Sequence, residues 1–145
     1  MENWEGPGIP VDLIMMFHVL YFIRAGERQE VLKKVHDNWL VSGGYVSVLT
    51  GTKVPGSTGV FERLGLPAPS SEEIEADFLK IGFTRHYKHE MHATRDLRDP
   101  NESLLPFYQL HCKDRLITLD DLREAMKGKN FDESRYTITI YKSRN

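Results

Sequence analysis

Cysteine is nearly missing from this chain. Cys112 is the only one in 145 residues, which excludes an internal disulfide framework and a thiolate metal cluster. An excess of charge of one sign is missing as well. Nineteen Lys and Arg stand against 21 Asp and Glu, a net charge of −2 with no field suited to general nucleic-acid or anionic-membrane binding. Long apolar runs are absent too. The longest, Val11 to Ile23, is broken by Asp12 and His18 and is too short to cross a bilayer. Met1-Glu2-Asn3-Trp4-Glu5 lacks the basic stretch and small-residue cleavage site of a secretory signal. There is no G-x-G-x-x-G and no G-x-S-x-G. Thr50 to Gly59 resembles a phosphate loop only superficially, because Gly-Lys-Ser/Thr is missing. What remains is a globular composition, 40% hydrophobic and 28% charged. A soluble, cytoplasmic α/β domain spanning residues 1–145 is expected.

The pattern along the chain supports that class. Val11 to Phe17 is apolar on both parities, as in a strand covered on both faces, although periodicity alone leaves a buried helix open. From Glu27 to Leu40, Val31, Leu32, Val35 and Trp39 form one helical stripe, with Arg28, Glu30, Lys33, Lys34 and Asp37 outside it. Gly43-Gly44 is expected to stop that helix before a second buried strand, Tyr45 to Thr50. Strand, helix, strand is a parallel βαβ unit.

Gly51 to Pro69 is a long Gly, Pro, Ser and Thr segment, suited to binding or covering a site. Ser70 or Ser71 caps a helix with Ile74, Phe78 and Ile81 on its apolar side and Gly82 at its end. Phe83 to His92 reads as a strand near a sheet edge. Asp99-Pro100-Asn101 is a turn, and Leu104 to Leu110 a short helix. Thr118-Leu119-Asp120-Asp121 caps another short helix closed by Gly128. Tyr136 to Tyr141 is a last strand that pairs antiparallel beside one of the first two.

In an open α/β sheet, ligands sit outside the carboxyl ends of the strands. The first such end is Phe17-His18-Val19-Leu20-Tyr21-Phe22. His18 suits a general base or a substrate contact, since neutral imidazole accepts a proton near pH 7. A hydrogen-bonded strand-end histidine is the plainer alternative. Tyr21 and Phe22 suit the walls of a pocket for a flat or cationic ligand, or are core. His86, His89 and His92 invite a metal reading, but on a regular strand His89 faces away from the other two, so no metal site is expected. Cys112 reads as a small buried hydrophobe.

Val11-Asp12-Leu13-Ile14-Met15-Met16-Phe17-His18-Val19-Leu20-Tyr21-Phe22-Ile23 resembles the fourth strand and following turn of class I S-adenosylmethionine-dependent methyltransferases. The Asp-hydrophobic-Ile start and the His-x-Leu-Tyr-Phe turn look most like the histamine N-methyltransferase group. Glu27 to Leu40, Gly43-Gly44 and Tyr45 to Thr50 match the next helix and fifth strand. Ser71 to Gly82 with Phe83 matches a later helix, and Tyr136 to Tyr141 the final strand. The resemblance implies a three-layer Rossmann-like methyltransferase fold, of which only the C-terminal part of the sheet, strands four to seven, is present.

The resemblance also implies S-adenosylmethionine as methyl donor and a small amine as acceptor. Phe17 falls where the family meets the donor. His18 falls where an often-Gln residue contacts the amine, which makes His18 the expected catalytic group. Tyr21 and Phe22 match paired aromatics lining the acceptor pocket, and Tyr108 falls near another wall of it. Nothing carries over to the last strand, because Ser134 and Arg135 stand where the family has a substrate-binding Asn. The Gly-rich loop and acidic strand end that hold the donor lie upstream of the matched region. Two functions follow as expectations: the acceptor-side part of an N-methyltransferase, or a non-catalytic binding or regulatory module. The first strand then has an open edge, suited to self-association or to a missing partner segment. No nucleic-acid or membrane partner is expected.

Overall fold

The computed structural model describes residues 6–52, 59–66, 70–96, 104–110, 112, 115–128 and 130–144. Four strands form one sheet in the order β1-β2-β4-β3, with β1 Val11–Phe17, β2 Leu40–Thr52, β3 Thr84–Asp96 and β4 Phe131–Lys142. β1 and β2 are parallel, and β4 runs antiparallel to both β2 and β3. The last strand thus inserts between its predecessors, and β3 takes the far edge, as expected for residues near His86–His92. No helix among the described residues is long and apolar enough to cross a membrane.

Helices α1 (Ala25–Lys34) and α3 (Ser71–Ile81) supply one covering layer. The predicted stripe of α1 holds. Leu32 and Val35 are fully buried and Trp39 nearly so. Ser70 accepts from the Glu73 amide at 3.1 Å, and Gly82 closes α3 in the left-handed conformation, φ 115°. Together these helices and Met16, Val46, Val48 and Tyr141 of the sheet build the main core. Phe78 stacks flat on Tyr141 with ring centroids 4.0 Å apart, and Phe83 meets Phe78 edge-on. Burial of each such ring stabilises by roughly 1.5–3 kcal/mol. It also pushes the Tyr141 phenol well above its ordinary pKa.

Two sequence expectations for this region need correction. Arg28 lies inside the stripe, not outside it. It stands four residues before Leu32, hence on the same face, and is buried with its Nε 2.7 Å from Asp77 Oδ2 of α3. Gln29 donates to the other Asp77 oxygen at 2.9 Å, so one carboxylate clips the two helices together. A charge among apolar neighbours is stable there because its partner is presented by the opposing helix.

Gly43-Gly44 does not stop the helix. The chain leaves α1 through a π-helical turn at Val35–Trp39, and Leu40 is already extended and paired with Val11. The glycines instead shape a bulge inside β2, where the register jumps from Val11↔Leu40 to Leu13↔Tyr45. Gly43 takes φ 72°. A side chain at Gly44 would stand 2.9 Å from the Val41 carbonyl oxygen and 3.3 Å from that of Asp12.

The second sheet face carries Leu13, Met15 and Phe17 of β1, at 52%, 65% and 42% exposure. Leu49 of β2 lies opposite Phe17 and Ile138, and Ile140 lies opposite Ser47, so these residues share that face. Leu49, Ile138 and Ile140 are only half-buried.

A smaller core forms apart from the sheet. It gathers Val60, Leu64 and Leu66 in and after α2 (Val60–Arg63), Tyr108 of α4 (Leu105–Gln109), Ile117, and Leu122, Ala125 and Met126 of α5 (Leu119–Met126). The long Gly-rich segment therefore contains a helical turn that its composition hid, although residues 53–58 and 67–69 lie outside the described residues, as does the Asp99–Asn101 turn. Arg63 donates to the Ala125 and Lys127 carbonyls at 3.2 and 3.0 Å, satisfying the end of α5. Cys112 packs against this core, half-buried.

Candidate functional site

The connections that carry α2, α4 and α5 leave the sheet at the carboxyl ends of β2 and β3, so the smaller core belongs to the ligand end of the fold. β1 ends there at Phe17. The next residue, His18, is the one described non-glycine residue with positive φ, 54°. Its amide donates to the Leu49 carbonyl at 3.0 Å, extending the parallel ladder by one step. A tight turn follows at Leu20–Phe22, in which the Phe22 amide donates to the Val19 carbonyl at 3.1 Å. Leu20 is buried in the main core and anchors this turn, while His18 stays exposed and Phe22 half-buried. Strand end, reversed backbone and anchored turn follow directly from an apolar run that breaks at a polar residue.

The His18 ring meets Tyr136 of β4 edge-to-face, with centroids 5.5 Å apart and planes 86° from parallel. In the register Tyr136 lies opposite Gly51 of β2. The strand between the two rings therefore carries no side chain at that level. Tyr136 was missed as a site residue by the sequence reading. Alternation places it on a strand, but only the cross-strand register brings it to His18.

Of the other expected site residues, Phe17 sits at the strand end, 42% exposed, opposite Leu49. Tyr21 lies in the turn, with its side chain outside the described atoms. Tyr108 is fully buried in the smaller core, against Phe61 with centroids 5.2 Å apart and against Phe107 at 5.2 Å. The structure thus joins His18 with Tyr136 and places Tyr108 in a different cluster.

The three strand histidines are distributed differently from a regular strand. A bulge between Arg85 and Tyr87 takes His86 out of the ladder, where its ring lies edge-on to Tyr45 at 5.4 Å. His89 stands opposite Ile138, and His92 opposite Arg135. Elsewhere, His36 and Lys33 hold the Asp37 carboxyl below the usual range. The Thr118 amide and hydroxyl, with Arg115, do the same for Asp121.

Sheet order, parallel β1–β2 pairing and the inserted antiparallel β4 give a Rossmann-like α/β fold that solved methyltransferase structures share. No protein-family model matches the chain, and no curated protein matches it in sequence. Solved structures do resemble it in fold. A candidate methyltransferase from Bacillus halodurans C-125 superposes with TM-score 0.62 at 10% identity, covering 92% of this chain and 70% of that one. SpnF, named as a [4+2]-cyclase, gives TM-score 0.52 at 15% identity over 93% of this chain and 50% of its own. A candidate sarcosine dimethylglycine methyltransferase from Galdieria sulphuraria gives 0.50 at 11%, covering 94% and 54%. The chain thus spans between half and about two thirds of these neighbours.

Phe17, the residue expected to meet a methyl donor, is exposed at the end of β1. Such a ring fits a flat apolar group.

Proposed function

We propose that this chain is the acceptor-side part of an S-adenosylmethionine-dependent N-methyltransferase acting on a small, histamine-like amine. The observation that carries the reading is His18, held in a left-handed backbone at the carboxyl end of β1 with its imidazole exposed toward the ligand end. Non-glycine residues in that conformation cluster at sites where geometry serves function. The fold of the neighbours supports the class; the amine rests on the sequence resemblance at His18, Tyr21 and Phe22. S-adenosylmethionine, when bound, supplies an electrophilic methyl group.

The chain's own part is positioning. His18 accepts a hydrogen bond from the amine, directs its lone pair and takes its proton. Tyr21 and Phe22 are proposed to exclude water and hold the acceptor body. Orientation of this kind supplies much of the rate of a bimolecular displacement. No metal is required by it.

A second reading has its own observation. The open β1 edge and the exposed Leu13, Met15 and Phe17 suit a binding or regulatory module that pairs with another copy. One fold neighbour is named as a cyclase, so this fold serves chemistry other than methyl transfer. Calorimetric titration with S-adenosylhomocysteine, with mass measured by light scattering on the same sample, separates the readings. Saturable binding supports the enzyme. A folded sample that binds none rejects catalysis by this chain alone, and a dimer in that sample supports the module.

A further inference from the structure

We propose that Tyr136 is a positioning residue for His18 and that the two rings form the corner in which the acceptor sits. The inference deepens the methyltransferase reading and rests on His18 being an acceptor contact. Three observations converge on it. The His18 backbone adopts φ 54°, a conformation that glycine would take without strain, yet an imidazole is kept there. The His18 amide is tied to Leu49, which fixes the origin of the side chain. Tyr136 then meets the imidazole at 5.5 Å and 86°, with Gly51 opposite it on the intervening strand.

Without a partner, an exposed imidazole samples several rotamers. Edge-to-face contact with Tyr136 selects one of them. Two perpendicular aromatic walls take a small amine on a short or flat body. The ring faces attract its ammonium form, and the imidazole accepts a hydrogen bond from its neutral form. Tyr136 thus holds His18 and walls the corner, so its loss is felt more with His18 present than without it.

The test uses the full chain with labelled histidine and tyrosine rings. Wild type and Tyr136→Phe should show cross-relaxation between His18 and the ring at position 136, with ring-current-displaced His18 signals. In Tyr136→Leu those signals should shift and broaden relative to both. Histamine titration should then weaken about tenfold in Tyr136→Leu and little in Tyr136→Phe. In a His18→Ala background Tyr136→Leu should cost less than it does with His18 present.

Unchanged His18 signals in Tyr136→Leu overturn the positioning role. An equal loss with and without His18 overturns action through His18. If Tyr136→Leu fails to fold, His18→Ala at an exposed position gives the same answer from the Tyr136 ring signals. No histamine binding by wild type overturns the amine reading, while the ring signals still decide whether Tyr136 positions His18.

Discussion

The two faces of the sheet are built from the same strands and meet different fates. On one, Val46, Val48 and Tyr141 lie under α1 and α3 and are buried to within 1%. On the other, Leu13, Met15 and Phe17 stand 42–65% exposed although they alternate with Met16, itself buried. Both faces are apolar, so composition does not distinguish them. What differs is whether this chain supplies a covering layer among its described residues. Strands that read as apolar on both parities are made to be covered twice. The difference between the faces lies in which of them the described residues cover, and substitution tests it.

The largest effects are expected on the covered face. Phe78→Ala removes a fully buried ring from the Tyr141 stack and should cost about 3–5 kcal/mol of unfolding free energy, read from urea denaturation. A loss under about 1 kcal/mol would mean that this face is not packed as described. Arg28→Met should cost about 3 kcal/mol, because Asp77 is then left as a buried charge without its ion-pair partner. The double variant Arg28→Met, Asp77→Leu should recover most of that loss. If it does not, the helices are joined by packing around the pair and not by the pair.

Much of the covered face was legible from sequence, and the reason is local. Leu32, Val35 and Trp39 keep helical spacing, and Ser70 with Gly82 punctuate α3 at both ends. Arg28 was misread because a hydrophobic stripe is defined by apolar residues, and a charge neutralised from another helix breaks that definition. Gly43-Gly44 was misread because glycine signals a backbone irregularity without saying whether it ends a helix or bulges a strand. At the candidate site His18 was legible as a polar break in an apolar run. Tyr136 was not, since it comes to His18 only through a register that joins residues over a hundred positions apart in the chain.

Intermediate effects should come from the smaller core, which depends on caps and not on the sheet. Thr118→Ala removes the side-chain half of a capping box, while the amide at position 118 still donates to Asp121, and should cost about 1 kcal/mol. The same box gives a pH dependence whose sign is fixed. The Asp121 carboxyl is held below its ordinary value by Thr118 and Arg115, so its contribution is present above the unfolded pKa, near 4. It is lost as pH falls from there through the folded value. Asp121→Asn should lower stability near pH 7, where the carboxylate contributes, and flatten the stability profile below about pH 4.

The smallest stability effect is expected on the open face, and it is the most informative. Met15→Ser and Leu13→Ser lie where solvent already reaches, so each should alter unfolding free energy by less than about 0.5 kcal/mol. Association should respond differently. Among the described residues β1 is an edge strand and carries these exposed side chains, so a wild-type sample that self-associates should shift toward monomer in the double variant. Sedimentation velocity at matched concentrations reads that shift. A monomeric wild type would exclude pairing through β1 and leave the face to some other partner. If instead Met15→Ser costs as much as a core truncation, the side chain is buried in solution and the two faces are equivalent after all.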